Sequence, residues 1–110
     1  MTSKWLREVV AATLCAVCLA GTLRAAPPIS YAGGDGSTEE KAVVIKGGNE
    51  ETGVAAEYAY LEKHHPGYQR GAQAAFSKGK RQYDRLSFTT AKGEQRTIFF
   101  DITDFFGKLD

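Results

Sequence analysis

Apolar and polar residues alternate along two runs near the end of the chain, Tyr83–Thr90 and Gln95–Thr103. A period of two is typical of strands that bury one face, and here the apolar members occupy even-numbered positions. These members are Leu86, Phe88, Ile98, Phe100 and Ile102. Between the runs, Ala91–Gly93 predicts a three-residue hairpin loop whose glycine adopts the left-handed conformation. This loop places Leu86 opposite Ile98 and puts all the even positions on one face.

A second turn, Ser77–Gly79, precedes these two runs. With the same loop length, Phe76 is expected opposite Lys80. In that register the even positions before the turn join the same apolar face: Tyr68, Ala72, Ala74 and Phe76. The three runs therefore predict an antiparallel meander with one common apolar face.

A helix is expected before the meander. Asn49 is suited to its N-cap, with Thr52 as the competing cap, and Pro66-Gly67 ends it. The residues at helical spacing that are expected to lie on the sheet are Val54, Tyr58, Leu61 and His65. The residues expected to point outward are Glu57, Glu62 and Lys63.

The short β-branched run Ala42–Ile45 predicts a first strand ahead of the helix. The predicted fold class is therefore α+β, with the order β-α-β-β-β, in residues 41–110. The helix packs on one face of the antiparallel meander. The first strand can dock beside the strand that follows the helix or at the other edge, and the pattern leaves both open.

The N-terminal part of the chain has a different composition. Residues 1–25 combine a basic beginning, an apolar run at Val9–Ala20 and small residues at the end, which is the pattern of a secretory signal peptide. The apolar run is shorter than the roughly 20 residues that span a bilayer. We expect cleavage after Ala25 or, alternatively, after Ala20. The mature protein would then be periplasmic or secreted, with no transmembrane anchor.

Residues 26–40 are rich in glycine, serine, proline and acid, and they predict a flexible linker. Both cysteines, Cys15 and Cys18, lie in the predicted signal peptide. The mature chain is therefore expected to have no disulfide and to depend on packing for its stability.

Charge is segregated along the chain, although the whole sequence has a formal net charge of only +1. The segment from Lys63 to Arg96 holds eight basic and two acidic residues. On its outward sheet face we predict a contact surface for an anionic or aromatic partner. Its residues are Arg81, Tyr83, Arg85 and Phe99. Nucleic-acid recognition uses similar residues, but export argues against a nucleic-acid partner.

The C-terminal Phe105-Phe106 predicts an apolar plug under the sheet end or, if exposed, a second contact surface. Asp104, just before it, is expected to cap the final turn.

Groups suited to catalysis or metal binding are sparse. His64 and His65 are adjacent, so on a helix they point about 100° apart, and no cysteine or spaced histidine joins them. Asp84 and Asp101 fall on opposite faces of the predicted sheet, and Ser87 has no histidine on its face. We therefore expect no catalytic residues, no metal site, no cofactor and no enzymatic activity.

Parts of the sequence resemble small exported bacterial proteins of unknown function, over about Lys41 to Leu109. The segments that carry this resemblance are Glu57-Tyr58, Pro66–Tyr68, Tyr83–Leu86, Phe100–Ile102 and Phe105–Lys108. The arrangement of one strand, one helix and a meander is more distantly similar to cystatins, which implies protease inhibition. Cystatins present a Gln-X-Val-X-Gly hairpin, whereas Gln73–Ser77 lacks the valine and the glycine.

Taken together, the sequence predicts a non-catalytic binding module of the bacterial cell envelope or the secreted fraction. Its expected partner is an unidentified protein or an anionic envelope component. The alternatives are a cystatin-like protease inhibitor and a small hydrolase, which would need His64 or His65 close to Asp104 or Ser87.

Overall fold

The computed structural model describes residues 26–110, so the predicted signal peptide lies outside the described residues. One helix and five strands follow each other along this part of the chain. They are β1 (Ser30–Gly33), β2 (Val43–Lys46), α1 (Glu50–His64), β3 (Gln69–Lys78), β4 (Arg81–Thr89) and β5 (Gln95–Asp101). The strands form one sheet in the order β1-β2-β5-β4-β3, and the α+β class is confirmed. The sheet is mixed, because β2 runs parallel to β5.

The β4–β5 hairpin has the predicted register. Leu86 lies opposite Ile98, and Asp84 lies opposite Phe100. Gly93 has the expected positive φ of 89°. The apolar residues of the even-numbered face form the core of the domain together with Val43, Ile45, Ala56, Leu61 and Phe105.

The β3–β4 hairpin corrects the prediction by one residue. Its loop contains two residues, Gly79 and Lys80, and Phe76 lies opposite Tyr83 instead of Lys80. Gly79 has φ of 62° and occupies the first central position, as in the type II′ turn that suits the twist of two joined strands. Because side chains alternate between faces, the slip moves Phe76 and Ala74 to the face away from the helix.

A bulge between Arg70 and Gln73 changes the β3 register a second time. Before the bulge the even positions still face the helix, and Tyr68 packs against the core with its ring edge-on to Phe88. Ala72, within the bulge, is exposed. Of the four positions predicted to join the core from this part of the chain, only Tyr68 does so.

Part of the predicted flexible linker is a strand, which is a second correction. β1 pairs antiparallel with β2, and its Tyr31 hydroxyl donates to the Ala56 carbonyl at 2.7 Å. All four of its residues are exposed, so the strand has no apolar alternation that a sequence pattern could reveal. The strand after it, β2, lies beside β5, which is the edge of the meander away from β3.

The helix begins and ends where the sequence predicts. Asn49 caps it, since its Oδ1 accepts from the Thr52 amide, and the Thr52 hydroxyl oxygen accepts from the Asn49 amide, each at 2.9 Å. Thr52 is therefore the partner of the cap. The C-cap is His65, directly before Pro66.

The buried face of the helix differs from the predicted one. Gly53, Ala56, Glu57 and Leu61 are buried, so the prediction that Glu57 points outward is wrong. Phe105 is fully buried and lies against Gly53, where a Cβ would overlap its ring. A glycine adds no side chain to the apolar stripe of a helix, so the pattern gives it no weight. At Gly53, however, the helix backbone makes its close approach to Phe105. The contact face is therefore turned toward Gly53 and Glu57.

The C-terminal segment closes over the start of the helix. The Glu50 amide donates to the Lys108 carbonyl, and the Gly107 amide donates to Glu50 Oε1, both at 2.7 Å. Asp104 does not cap the final turn, because its Oδ2 accepts from the Gly47 amide at 2.8 Å. This hydrogen bond lowers the pKa of Asp104. The one helix in residues 26–110 is not long and apolar enough to cross a membrane.

Candidate binding face

The sheet side away from α1, called the outer face below, carries the contact residues predicted on the strands. Tyr83 lies opposite Asp101, and Arg85 lies opposite Phe99. Arg81 is on the same face of β4, two residues before Tyr83, since alternate residues of a strand share a side. The structure therefore brings Arg81, Tyr83, Arg85 and Phe99 together.

Phe76 of β3, which the sequence pattern predicts in the core, joins these residues. Its ring stacks on Tyr83, with centroids 5.3 Å apart and an interplanar angle of 19°. It meets Phe99 edge-on, with centroids 6.4 Å apart. These three residues, Phe76, Tyr83 and Phe99, are the aromatic cluster, and all three are half-buried. The position of Gly79 in the turn is the sequence signal that could have placed Phe76 on the outer face. A glycine at the first position of a two-residue loop favours the observed register.

Acidic groups neutralise much of the basic charge on the outer face. Arg81 Nη1 lies 2.8 Å from Asp101 Oδ2, and Asp101 is only 4% exposed. Lys78 Nζ lies 2.8 Å from Glu39 Oε2, and this hydrogen bond raises the pKa of Lys78. Arg85 is exposed, and no ion pair to it is found among residues 26–110. Arg85 therefore remains available to an anionic partner.

A cleft of about 430 Å³ runs beside the outer face. Glu39 and Glu40, from the segment between β1 and β2, line it together with Arg81 and Tyr83. The segment that was predicted to be a flexible linker thus contributes acidic groups to the edge of the predicted basic surface. The local field is mixed in sign, and Arg85 lies beyond the residues that line this cleft.

Phe105 and Phe106 lie apart from the outer face. Phe105 is fully buried as the predicted plug, so it is not available to a partner in this structure. Phe106 is 47% exposed, and it is the only one of the pair that offers apolar surface.

A pair of carboxyl groups, Glu57 and Asp84, is buried between α1 and β4. Their exposed fractions are 0% and 2%. Gln73 Nε2 donates to Asp84 Oδ2 at 2.7 Å, and the Tyr58 hydroxyl donates to Gln73 Oε1 at 3.2 Å. Asp84 Oδ1 and both Glu57 oxygens have no donor among the residues described.

If both buried carboxyl groups were ionised, they would offer only hydrogen-bond acceptors to each other. A proton on one of them supplies the donor that the pair lacks. Burial, the hydrogen bond to Asp84 and the charge of Asp84 together raise the pKa of Glu57 to about 10. Glu57 is therefore neutral at pH 7. The predicted register already placed Asp84 on the helix side, whereas nothing in the sequence pattern signalled the burial of Glu57.

The polar groups that a hydrolase would need are dispersed. Asp104 lies beside Gly47 at the start of the helix, and His64 is at its far end. A 15-residue helix is about 22 Å long. Ser87 is opposite Thr97 on the outer face, away from both histidines. Within residues 26–110, no three histidine, cysteine or acidic side chains are placed to hold a metal ion together.

A second cleft, of about 620 Å³, lies on the helix side of the sheet. The His64 ring stacks on Tyr60 there, with centroids 4.1 Å apart. Asp35 and Arg96 also line this cleft and bring charges of both signs to it.

No protein-family model, curated protein or solved structure matches this chain.

Proposed function

We propose that this protein is an exported, non-catalytic interaction module of the bacterial cell envelope or secreted fraction, and that its outer face contacts the partner. The observation that carries the proposal is the aromatic cluster. Three half-buried aromatic residues lie on the side of the sheet that the helix leaves uncovered. Aromatic and arginine residues are enriched at protein interfaces, and an apolar patch on a small domain indicates a contact site.

Arg85 defines the chemistry of the partner. It is exposed, lies opposite Phe99, and belongs to no ion pair within the described part of the chain. Beside an aromatic group, its guanidinium suits a carboxylate or phosphate that also presents an apolar or planar surface. A partner protein or an anionic envelope component meets this requirement.

The dispersal of the polar groups supports a non-catalytic role. A hydrolase of the alternative kind needs His64 or His65 near Asp104 or Ser87, and these groups lie at opposite ends of the helix or on opposite sides of the sheet. The buried carboxyl pair lines neither of the two clefts described above.

Protease inhibition is the second candidate, and one observation favours it. The tip of the β3–β4 hairpin is open, since nothing lies within 4 Å of a Cβ placed on Gly79. A free tip can enter the groove of a protease. Inhibition of a papain-like protease that is lost when the Ser77–Gly79 segment is replaced would support this function, and the absence of inhibition would exclude it for that class.

The outer face is tested by retention on envelope fractions and on vesicles with anionic lipids. Protein expressed from the full-length sequence is compared with Arg85→Ala and Tyr83→Ala, at low and high salt. Arg96→Ala is the matched control, because Arg96 is an exposed arginine that faces Phe88 on the helix side of the sheet. We expect both outer-face variants to lose retention and the control to keep it. Equal retention of all four proteins would overturn the proposal.

A further inference from the structure

β3 is a long strand with a free edge. It is the last strand of the sheet and pairs only with β4. None of its ten residues is buried. No backbone hydrogen bond joins its other side to any described residue. An edge of this kind exposes a row of amides and carbonyls that another strand can pair with.

The register shows which backbone groups point to the free edge. Lys78 and Arg81 flank the two-residue turn, so they form a pair that exchanges hydrogen bonds, and such pairs alternate with non-bonded ones. In β3 the residues of the non-bonded pairs direct their N–H and C=O groups away from β4. These residues are Gln73, Ala75 and Ser77.

The usual ways of protecting an edge are only partly present. β1, at the opposite edge, has just four residues, and short edge strands discourage pairing. β3 contains no proline, and its bulge is confined to the stretch between Arg70 and Gln73. From Gln73 to Lys78 the strand pairs regularly with β4, so six consecutive residues are shaped to accept a further strand.

Charge determines which strand would fit. The region of β3 and β4 carries five basic residues, and its one acid, Asp84, is buried. Lys78 and Arg81 pair with Glu39 and Asp101, and the other three form no ion pair within residues 26–110. The basic residues are Arg70, Lys78, Lys80, Arg81 and Arg85. A second copy aligned antiparallel on β3 would bring Lys78 of each protomer toward Arg70 of the other, which is repulsive. An acidic segment is attracted instead.

We infer that Gln73–Lys78 is a docking edge that an extended, acidic segment of a partner protein joins as a sixth strand. The inference rests on the proposed function, since Phe76 lies both on this edge strand and in the aromatic cluster. Backbone hydrogen bonds to Gln73, Ala75 and Ser77 hold the segment, and side chains on its outer side reach the aromatic cluster. Lys80 and Arg85, which are exposed and form no ion pair within residues 26–110, favour acidic residues in it.

The test uses a synthetic ten-residue peptide of alternating glutamate and valine, with the alternating lysine–valine peptide of the same length as its charge-reversed control. Amide hydrogen exchange is followed in the unmodified protein. We expect the acidic peptide, at about 1 mM, to slow exchange about tenfold at Gln73, Ala75 and Ser77. The amides of Ala74 and Phe76 already bond to β4, so they serve as internal controls and should not change.

Ala75→Pro provides a second arm. The N–H of Ala75 points to the free edge, so replacing Ala75 by proline removes no hydrogen bond to β4. Prolines are tolerated at such edge positions. The variant should keep its thermal midpoint and lose about tenfold in peptide affinity. The inference is overturned if the acidic peptide protects none of the three amides, or if the lysine peptide protects them equally. Slow exchange of these three amides in the absence of peptide, together with a dimer detected by light scattering, would also overturn the inference. A second copy of the protein would then occupy the edge.

The two proposals can fail separately. Loss of envelope retention in Ala75→Pro but not in Tyr83→Ala would support the edge and count against the outer face. Loss of retention in Tyr83→Ala but not in Ala75→Pro would support the outer face and contradict the docking edge.

Discussion

Replacing Glu57 by glutamine should make the stability of this protein nearly independent of pH between pH 5 and 8. Burial and Asp84 raise the pKa of Glu57 from 4.5 to about 10. Over the range between these two values, the folded chain holds a proton that the unfolded chain has released. The stabilising contribution of this proton is complete below about pH 4.5 and decreases as the pH rises toward 10.

The size of the change in stability follows from the shift in the pKa of Glu57. Each pH unit within this range changes the free energy of unfolding by about 1.4 kcal/mol. Raising the pH from 4.5 to 7 should therefore cost about 3 kcal/mol, a large part of the 5–15 kcal/mol that is typical of a whole domain. Glutamine has nearly the same shape and is never ionised. Its amide can donate to Asp84 Oδ1 in place of the carboxyl proton.

The assay is urea unfolding of wild type and Glu57→Gln at several pH values from 5 to 8. We expect the wild-type free energy to fall with pH and that of the variant to stay level, so the variant becomes the more stable protein near pH 8. Glu51→Gln, at an exposed position in the first helical turn, is the matched control and should follow the wild type. Asp104 does not interfere, because folding lowers its pKa, so its stabilising contribution is present throughout pH 5 to 8 and is lost only in more acidic solutions. Parallel curves for wild type and Glu57→Gln would refute the reasoning.

Three further predictions concern packing, the outer face and export. Gly53→Ala should lower the free energy of unfolding by about 1–3 kcal/mol in denaturant melts, because the new methyl overlaps Phe105. Arg81→Ala should cost about 1–3 kcal/mol because it leaves a buried oxygen of Asp101 unpaired, whereas Lys78→Ala, which removes a solvent-exposed ion pair, should leave the free energy of unfolding unchanged. Intact mass of the exported protein should show a cut after one of the two alanines predicted above; an uncut chain would contradict export by a signal peptide.

Much of the fold could be predicted from local signals. The β4–β5 register follows from a period of two on both sides of a glycine loop, and only one register puts Leu86 and Ile98 on the same face. The helix boundaries follow from a capping asparagine and a terminating proline. Arg81, Tyr83, Arg85 and Phe99 could be placed on one face for the same reason, since the hairpin that carries them was predicted in its observed register.

Other features depended on contacts between distant parts of the chain. β1 is held by its pairing with β2. Its four residues are all exposed, so they show no apolar pattern that predicts a strand. The position of Phe76 depended on whether the β3–β4 loop has two or three residues. A slip of one residue reverses the faces of the strand, so a small error in turn length moved a member of the candidate site into the predicted core.

The sequence by itself determined the strand periodicity, the helix ends and the charge segregation, because each depends on neighbours within a few residues. The tertiary structure alone decided that Glu57 is buried, because this required Phe105 to pack against Gly53 and Asp84 to lie across the interface from the helix. A helical position that looks solvent-facing by its charge can be buried when its partner across the interface shares a proton with it. No local pattern records such a pairing, because the two carboxyl groups come together only when the helix docks on the sheet.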